Sequence, residues 1–360
     1  MQAAPLTLDG PYSPRALLDA FQRLRRERKL RHRDAAQALG VTEAEAIAAA
    51  VGAEGALRAT RLAGPWAHLF EQMPRLGPVM ALTRNEHAVH EKVGRFEEMS
   101  HDGEVGLALG SAIDLRIFYS RWRHAFAVHE ETERGTQRSL QIFDAHGAAI
   151  HKVFLRPESD LAAWERFVAA AAHGDQSPLL VVEPAPPAEP SRADDAIDVT
   201  AFRDAWRAMT DTHQFFPLLR RFGLTRTEAL RLAPTDFAHR VHEGSARLLL
   251  QEAARHAVPI MCFVANPGMI QIHSGRVERV QVMGPWLNVL DGEFNLHLRE
   301  DHIAAAWVVK KPTADGLVTS LELFADDGET IALFFGARKP GQPERPEWRA
   351  LVHELPEIDA

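Results

Sequence analysis

Val79-Met80-Ala81-Leu82-Thr83-Arg84-Asn85 is answered, 181 residues later, by Ile260-Met261-Cys262-Phe263-Val264-Ala265-Asn266. Outward from that pair, residues 79–154 and 260–335 align without a gap, and 18 of the 76 positions are identical. The shared positions include Gly94-Arg95 with Gly275-Arg276, Leu115 with Leu296, Gly135 with Gly316, Ser139-Leu140 with Ser320-Leu321, Phe143 with Phe324 and Gly147 with Gly328. The chain is therefore written twice. A unit of this length is a duplicated domain, because solenoid repeats have periods of about 20–50 residues. Function is expected where the copies differ or meet.

Each copy opens with helices. Ser13 to Leu39 has helical periodicity and a basic face (Arg23, Arg25, Arg26, Arg28, Lys29, Arg31), which reads as a solvated helix surface. Gly40 ends that helix, and Thr42 with Glu45 has the spacing of a capping box, each side chain satisfying the other's free amide. The second copy repeats this at Gly223, Thr225 and Glu228, now at an offset of 183. Both copies then turn to short β-branched and aromatic runs separated by Gly, Asn and Asp: 79–82, 88–90, 113–119, 124–129 and 139–143 in the first. Gly147 and Gly328 mark hairpins before a final strand. Strands in series with short turns make antiparallel sheet. The pattern predicts an α+β fold by tandem duplication, each copy a set of helices followed by an antiparallel meander. Helices at 164–172 and 347–355 close the copies. The expected domains are 1–174 and 199–360, joined by a proline-rich linker at 175–198 that contains Pro178, Pro184, Pro186, Pro187 and Pro190.

The 360 residues suffice for two such domains, and 46% hydrophobic with 25% charged residues is a globular composition. A formal charge of −8 gives no general attraction to nucleic acid or anionic lipid. Cys262 is the only cysteine, which excludes an internal disulfide framework, a cysteine-rich zinc site and covalent haem attachment. There is no run of 18 apolar residues, so no membrane insertion is expected, and residues 1–14 lack the basic and apolar regions of a secretory signal. The expectation is a cytoplasmic protein. P-loop, GxGxxG, GxSxG and HExxH motifs are all missing, which removes the common nucleotide, hydrolase and zincin readings.

Three places distinguish the copies. In Ala205 to Gly223, Pro217 cannot donate to the carbonyl of His213, so a helix bend is expected there. The first copy has Leu30 at that position. A histidine at a helix disruption beside Phe215 and Phe216 is either an axial metal ligand or a satisfied core histidine. In the run 113–119, alternation sets Arg116 and Phe118 on one face and Leu115, Ile117 and Tyr119 on the other, and His297 replaces Arg116 in the second copy. Arg116 is either an edge residue with its head in water or a donor into a shared pocket. His87 and His90 would face opposite sides of a strand, which leaves His90 alone as a possible surface ligand.

At these residues the chain resembles the haemin-degrading and haem-trafficking proteins of bacterial haem uptake (the HemS/ChuS type). The segments that carry the resemblance are 84–91, Asp114-Leu115-Arg116, 206–216, Ala306-Trp307-Val308, Lys311-Pro312-Thr313 and 320–324. The resemblance implies two stacked antiparallel sheets flanked by helices. It implies non-covalent haem, with His213 the proximal iron ligand and Arg116 the distal, catalytic residue, so that the pocket joins the two copies. Met261 and Phe263 match apolar pocket residues, Arg338 a residue near the propionates, and His90 a second, weaker haem site. Phe335 stands where related proteins carry a tyrosine near a propionate, and a phenyl ring cannot donate that hydrogen bond. The implied function is haem degradation with iron release, fed by an external electron donor. The alternative is a chaperone passing haem from a transporter to a separate haem oxygenase. A duplicated structural domain without cofactor is the third reading.

Overall fold

The computed structural model describes residues 13–185, 197–338 and 341–358. The chain divides into two compact units. The first holds residues up to 84, 92–186 and 266–270, and the second holds 85–91, 187–265 and 271–360. Each copy thus places one short segment in the unit built mainly by the other, a departure from boundaries drawn linearly along the chain.

In chain order, the first copy forms α1 (Pro14–Arg28), α2 (His32–Ala38), α3 (Glu43–Ala48), β1 (Leu57–Leu62), α4 (Trp66–Phe70), β2 (Val79–Arg84), β3 (Ala88–Gly94), β4 (Glu98–Asp102), β5 (Val105–Leu109), β6 (Asp114–Phe118), β7 (His124–Thr132), β8 (Gly135–Phe143), β9 (Ala149–Leu155) and α5 (Leu161–Ala171). The helix expected over 13–39 is two helices, broken where Lys29 takes a left-handed conformation at φ 52°. The capping box is present, with Thr42 N donating to Glu45 Oε2 at 2.8 Å and Glu45 N to Thr42 Oγ1 at 3.2 Å. Gly147 has φ 78°, and a Cβ there would strike the Thr42 side chain, so the hairpin that docks on this cap requires glycine.

Within the first unit, the order β1-β7-β8-β9-β2 makes an antiparallel sheet and β4-β5-β6 a second one. Ala125, Leu140, Ile142 and Val153 of the larger sheet and Ala108, Leu115 and Ile117 of the smaller share one core. The larger sheet's other face meets α1–α3 through Phe126, Val128 and Phe143, packed with Phe21, Leu24 and Ile47. Stacked antiparallel sheets with flanking helices are therefore present inside a single unit.

The second copy repeats the design with α6 (Val199–Arg207), α7 (Phe215–Phe222), α8 (Arg226–Leu232), β10 (Ala238–Val241), α9 (Ser245–Arg255), β11 (Ile260–Asn266), β12 (Met269–Gly275), β13 (Val280–Met283), β14 (Trp286–Leu290), β15 (Phe294–Arg299), β16 (Ala305–Thr313), β17 (Gly316–Phe324), β18 (Thr330–Gly336) and α10 (Pro346–His353). The order β10-β16-β17-β18-β11 makes the larger sheet and β13-β14-β15 the smaller. Ile260, Cys262, Val308, Leu321 and Phe334 meet Leu287, Val289, Leu296 and Leu298 between the sheets. Helices α6–α8 cover the outer face at β10, β16 and β17, through Phe202, Trp206, Phe215 and Leu219 against Ala238, Val309 and Phe324.

The expected linker is partly pinned. Arg61 Nη2 donates to the carbonyls of Ser177 (2.8 Å) and Leu179 (3.1 Å), Glu183 N donates to Ala145 O at 2.9 Å, and Leu180 is buried. Pro186, Pro187 and Pro190 lie outside the described residues.

Candidate functional site

The helix expected through His213 does not bend; it stops. α6 ends at Arg207, and His213 sits in a 3₁₀ turn, Thr212–Gln214, before α7 restarts at Phe215. Pro217 falls in the first turn of α7, where a missing N–H leaves no helical bond unmade. Asp211 caps the turn: its Oδ1 accepts from His213 N at 2.8 Å and faces His213 Nδ1 at 2.7 Å. A carboxylate only accepts at neutral pH, so Nδ1 carries a proton toward Asp211 and Nε2 is the ring nitrogen left to face a ligand. Those two hydrogen bonds from His213, the backbone one first, hold the Asp211 carboxyl below its ordinary value, and the charge of Arg338 adds to the effect.

The His213 side chain is 92% exposed. The reading as a core histidine is therefore excluded, and among the described residues no apolar wall of the second unit encloses the ring. Phe215 is buried in the core while Phe216 is 65% exposed, so only one of the two neighbouring phenylalanines supports the fold.

Beyond the edge of the helices, the outer face of β18 and β11 is half-exposed. Met261 pairs with Phe335 and Phe263 with Leu333, all four on this face, with Phe263 and Phe335 edge to face at 5.1 Å. Lys311 reaches in from β16, its Nζ 4.7 Å from the Phe215 ring centre and 5.7 Å from that of Phe335. Lys311 is held by Glu322, which is fully buried and accepts from Lys311 Nζ (2.6 Å), Ser320 Oγ (2.9 Å) and, in bidentate fashion, Arg226 Nε (2.7 Å) and Nη2 (2.8 Å). Burial alone would raise Glu322, but Arg226 and Lys311 together hold it far below the usual carboxylate range. Arg338 follows β18, with Nη1 3.4 Å from Gln342 O and 3.8 Å from Asp315 Oδ2.

His213, Met261, Phe263 and Arg338 all belong to the second unit, Arg116 to the first. Arg116 and Phe118 are half-exposed on β6, opposite buried Leu115 and Ile117, as alternation predicts. The Arg116 Nη1 is paired with Asp114 and donates to Leu115 O at 3.2 Å. His90 requires a correction: it is 0% exposed, with its ring 4.9 Å from that of Phe294, so it is not a surface ligand. Its place follows from the pleat, since Ala88 and His90 share the buried face of β3. A cleft of about 460 Å³ in the first unit, lined by His68, Arg75, Arg166 and Phe167 among others, contains none of these residues.

Sequence reasoning missed Asp211, Leu333 and the Glu322 cluster. Asp211 carried a usable signal, because Asp two residues before a helix disruption is a turn-capping pattern.

A chain duplicated in this way, with an exposed, carboxylate-held imidazole in its second copy, matches one family along both halves. Residues 40–171 and 223–355 each fit the model of the haemin-degrading HemS.ChuX domain. The chain belongs to that family. It is 43% identical over 326 residues to the hemin transport protein HmuS of Yersinia pestis, covering 90% of this chain and 92% of that one. It resembles the structure of holo-PhuS, a heme-binding protein from Pseudomonas aeruginosa, with a TM-score of 0.93 and 46% identity over 96% of this chain and all of that one. ChuS, described as an E. coli heme oxygenase, matches with a TM-score of 0.83 and 38% identity over 94% of this chain and 99% of that one.

Proposed function

We propose that this protein binds one haem per chain as substrate, in the cytoplasm, and degrades it to release iron. The observation that carries the reading is His213, an exposed imidazole whose Nδ1 is held by Asp211 so that Nε2 is presented as a ligand. A carboxylate behind a ligating histidine fixes its tautomer and raises its basicity. The half-exposed Met261, Phe263, Leu333 and Phe335 suit an apolar macrocycle, and Arg338 suits a propionate; Phe335 takes part by packing and not by hydrogen bonding. Arg116 serves as the distal donor. The haem itself supplies the redox chemistry, and the chain supplies ligation, orientation and charge. Electrons come from an external donor.

Replacing His213 with Ala is expected to abolish the Soret band of the haemin complex or shift it grossly. A spectrum and affinity like those of the parent would overturn the ligand assignment.

A second reading, haem carriage to a separate oxygenase, is favoured by the likeness to PhuS, which is described as a heme-binding protein. Incubating the haem complex with a reductant and catalase separates the two. Loss of the Soret band with iron release supports degradation, and an intact Soret band supports carriage.

A further inference from the structure

The neighbours of His87 in the fold are not those of His90: its ring lies against His302, and that of His90 against Phe294. His87 lies in the turn before β3, within the second unit. Asn85 shapes that turn, its Oδ1 accepting from His87 N (2.9 Å) and Ala88 N (2.8 Å). The same side chain donates through Nδ2 to Ala265 O (3.1 Å) and Ile331 O (2.9 Å), fastening the turn beside the β17–β18 hairpin. That hairpin is itself fixed, Ala325 N donating to Glu329 O at 2.9 Å and Glu329 N to Asp327 Oδ1 at 2.9 Å. Donor atoms of His87, Asp327 and Glu329 consequently lie within 4.8 Å of one another.

We propose that His87, Asp327 and Glu329 form a binding site for a divalent first-row transition cation of the Zn²⁺, Mn²⁺ or Fe²⁺ class. One imidazole nitrogen with two carboxylate oxygens is a borderline donor set, which selects these ions over Ca²⁺ with its preference for all-oxygen shells. Three protein ligands leave positions for water. His302 stands behind His87, Nδ1 to Nδ1 at 2.9 Å, and its Nδ1 is placed to accept from His87 and orient the ring. The first unit keeps the clamp but not the donors. Asn266 donates to Arg84 O and Ile150 O, both at 2.8 Å, as Asn85 does in its own unit. At the 181 offset, however, Gly268, His146 and Ala148 replace His87, Asp327 and Glu329, and Arg121 replaces His302. The site is a property of the second unit alone.

The test uses the full chain, chelator-treated and without haem, titrated with Co²⁺ by visible absorption and with Zn²⁺ by calorimetry. His213→Ala serves as the parent, so that the exposed His213 does not contribute. One equivalent is expected to bind the parent and to be lost in the Asp327→Asn/Glu329→Gln double variant, whose changes fall at exposed positions and leave the melting curve intact. His302→Gln is expected to weaken binding roughly tenfold to a hundredfold. Equal stoichiometry and affinity in the double variant, or no binding by the parent, would overturn the site. Ca²⁺ binding as tightly as Co²⁺ would overturn the transition-metal assignment.

Discussion

Lys152 in the first copy and Leu333 in the second occupy the same place, on the outer face of β9 and β18. Around Lys152 the face is closed by charge: its ammonium pairs with Glu43 on α3, and both are buried. Glu130 adds Arg25 at 2.5 Å and His32 at 3.0 Å. In the second copy, Arg226 replaces Glu43, Lys311 replaces Glu130, Phe215 replaces His32 and Glu322 replaces Gln141. The buried charges are thereby gathered on β16 and β17, and β18 and β11 are left with Met261, Phe263, Leu333 and Phe335. The lesson is that a duplicated sheet opens an apolar face by moving an ion cluster sideways while the fold stays the same.

The largest effect is expected where the closed face is broken. Lys152→Met leaves the Glu43 carboxylate buried without its main counter-charge and should cost about 3–5 kcal/mol of stability. Adding Glu43→Gln should recover most of that loss. Chemical denaturation of the two variants checks this, and equal losses in single and double variants would show that the pair does not close the face.

Next in size is Arg116→Ala. A lost preorganised donor to developing charge costs roughly 2.7–4 kcal/mol of barrier, about a hundred- to a thousandfold in rate. Haem binding should survive, because in the proposed site His213 and the apolar face carry it. The Asp114–Arg116 pair gives the rival outcome. If Arg116 only steadies β6, melting falls and single-turnover haem loss does not change.

Much of this comparison was legible in the sequence. The repeat, both capping boxes, the meander and the His213–Leu30 difference all rest on local pattern, and each of these sequence features has its counterpart in the structure. β4 was not legible, because Glu-Met-Ser-His-Asp alternates exposed with half-exposed residues and has no buried face to mark it. The exchanged segments depend on the side chains of Asn85 and Asn266, which a pattern search registers only as two identical residues. In the sequence Pro217 suggests a bend at His213, whereas the break is made by Asp211 capping the 3₁₀ turn. The ion clusters join residues about 100 apart, such as Arg226 and Glu322, and no local spacing announces them.

Leu333→Lys should make the second face resemble the first at its central position. The new ammonium would meet Arg226 where Lys152 meets Glu43, so it gains no counter-charge there. The half-exposed site lets a lysine extend to water, and folding should be retained. Haemin affinity should fall roughly tenfold to a hundredfold, the cost of placing an uncompensated charge against an apolar ligand face. Haemin titration measures it, and an unchanged affinity would show that this face does not touch the ligand.

The smallest effect expected is that of Asp211→Asn. Asparagine is as good a cap as aspartate, so the turn at Thr212–Gln214 and the melting temperature should stay as they are. What changes is the group behind the imidazole. The neutral amide accepts the Nδ1 proton more weakly than the carboxylate, so the Nε2 lone pair becomes less basic and binds iron less tightly. Losses of this outer kind run about ten- to a hundredfold, and the lower end is expected here because Asp211 is 56% exposed and partly screened by water. Asp211→Ala is the contrast: it removes cap and acceptor together and should lower both melting temperature and affinity. If Asp211→Asn leaves haemin affinity and the iron reduction potential unchanged while Asp211→Ala lowers melting temperature and affinity, the aspartate acts on the turn alone, and the second copy's advantage lies in exposing His213 and not in tuning it.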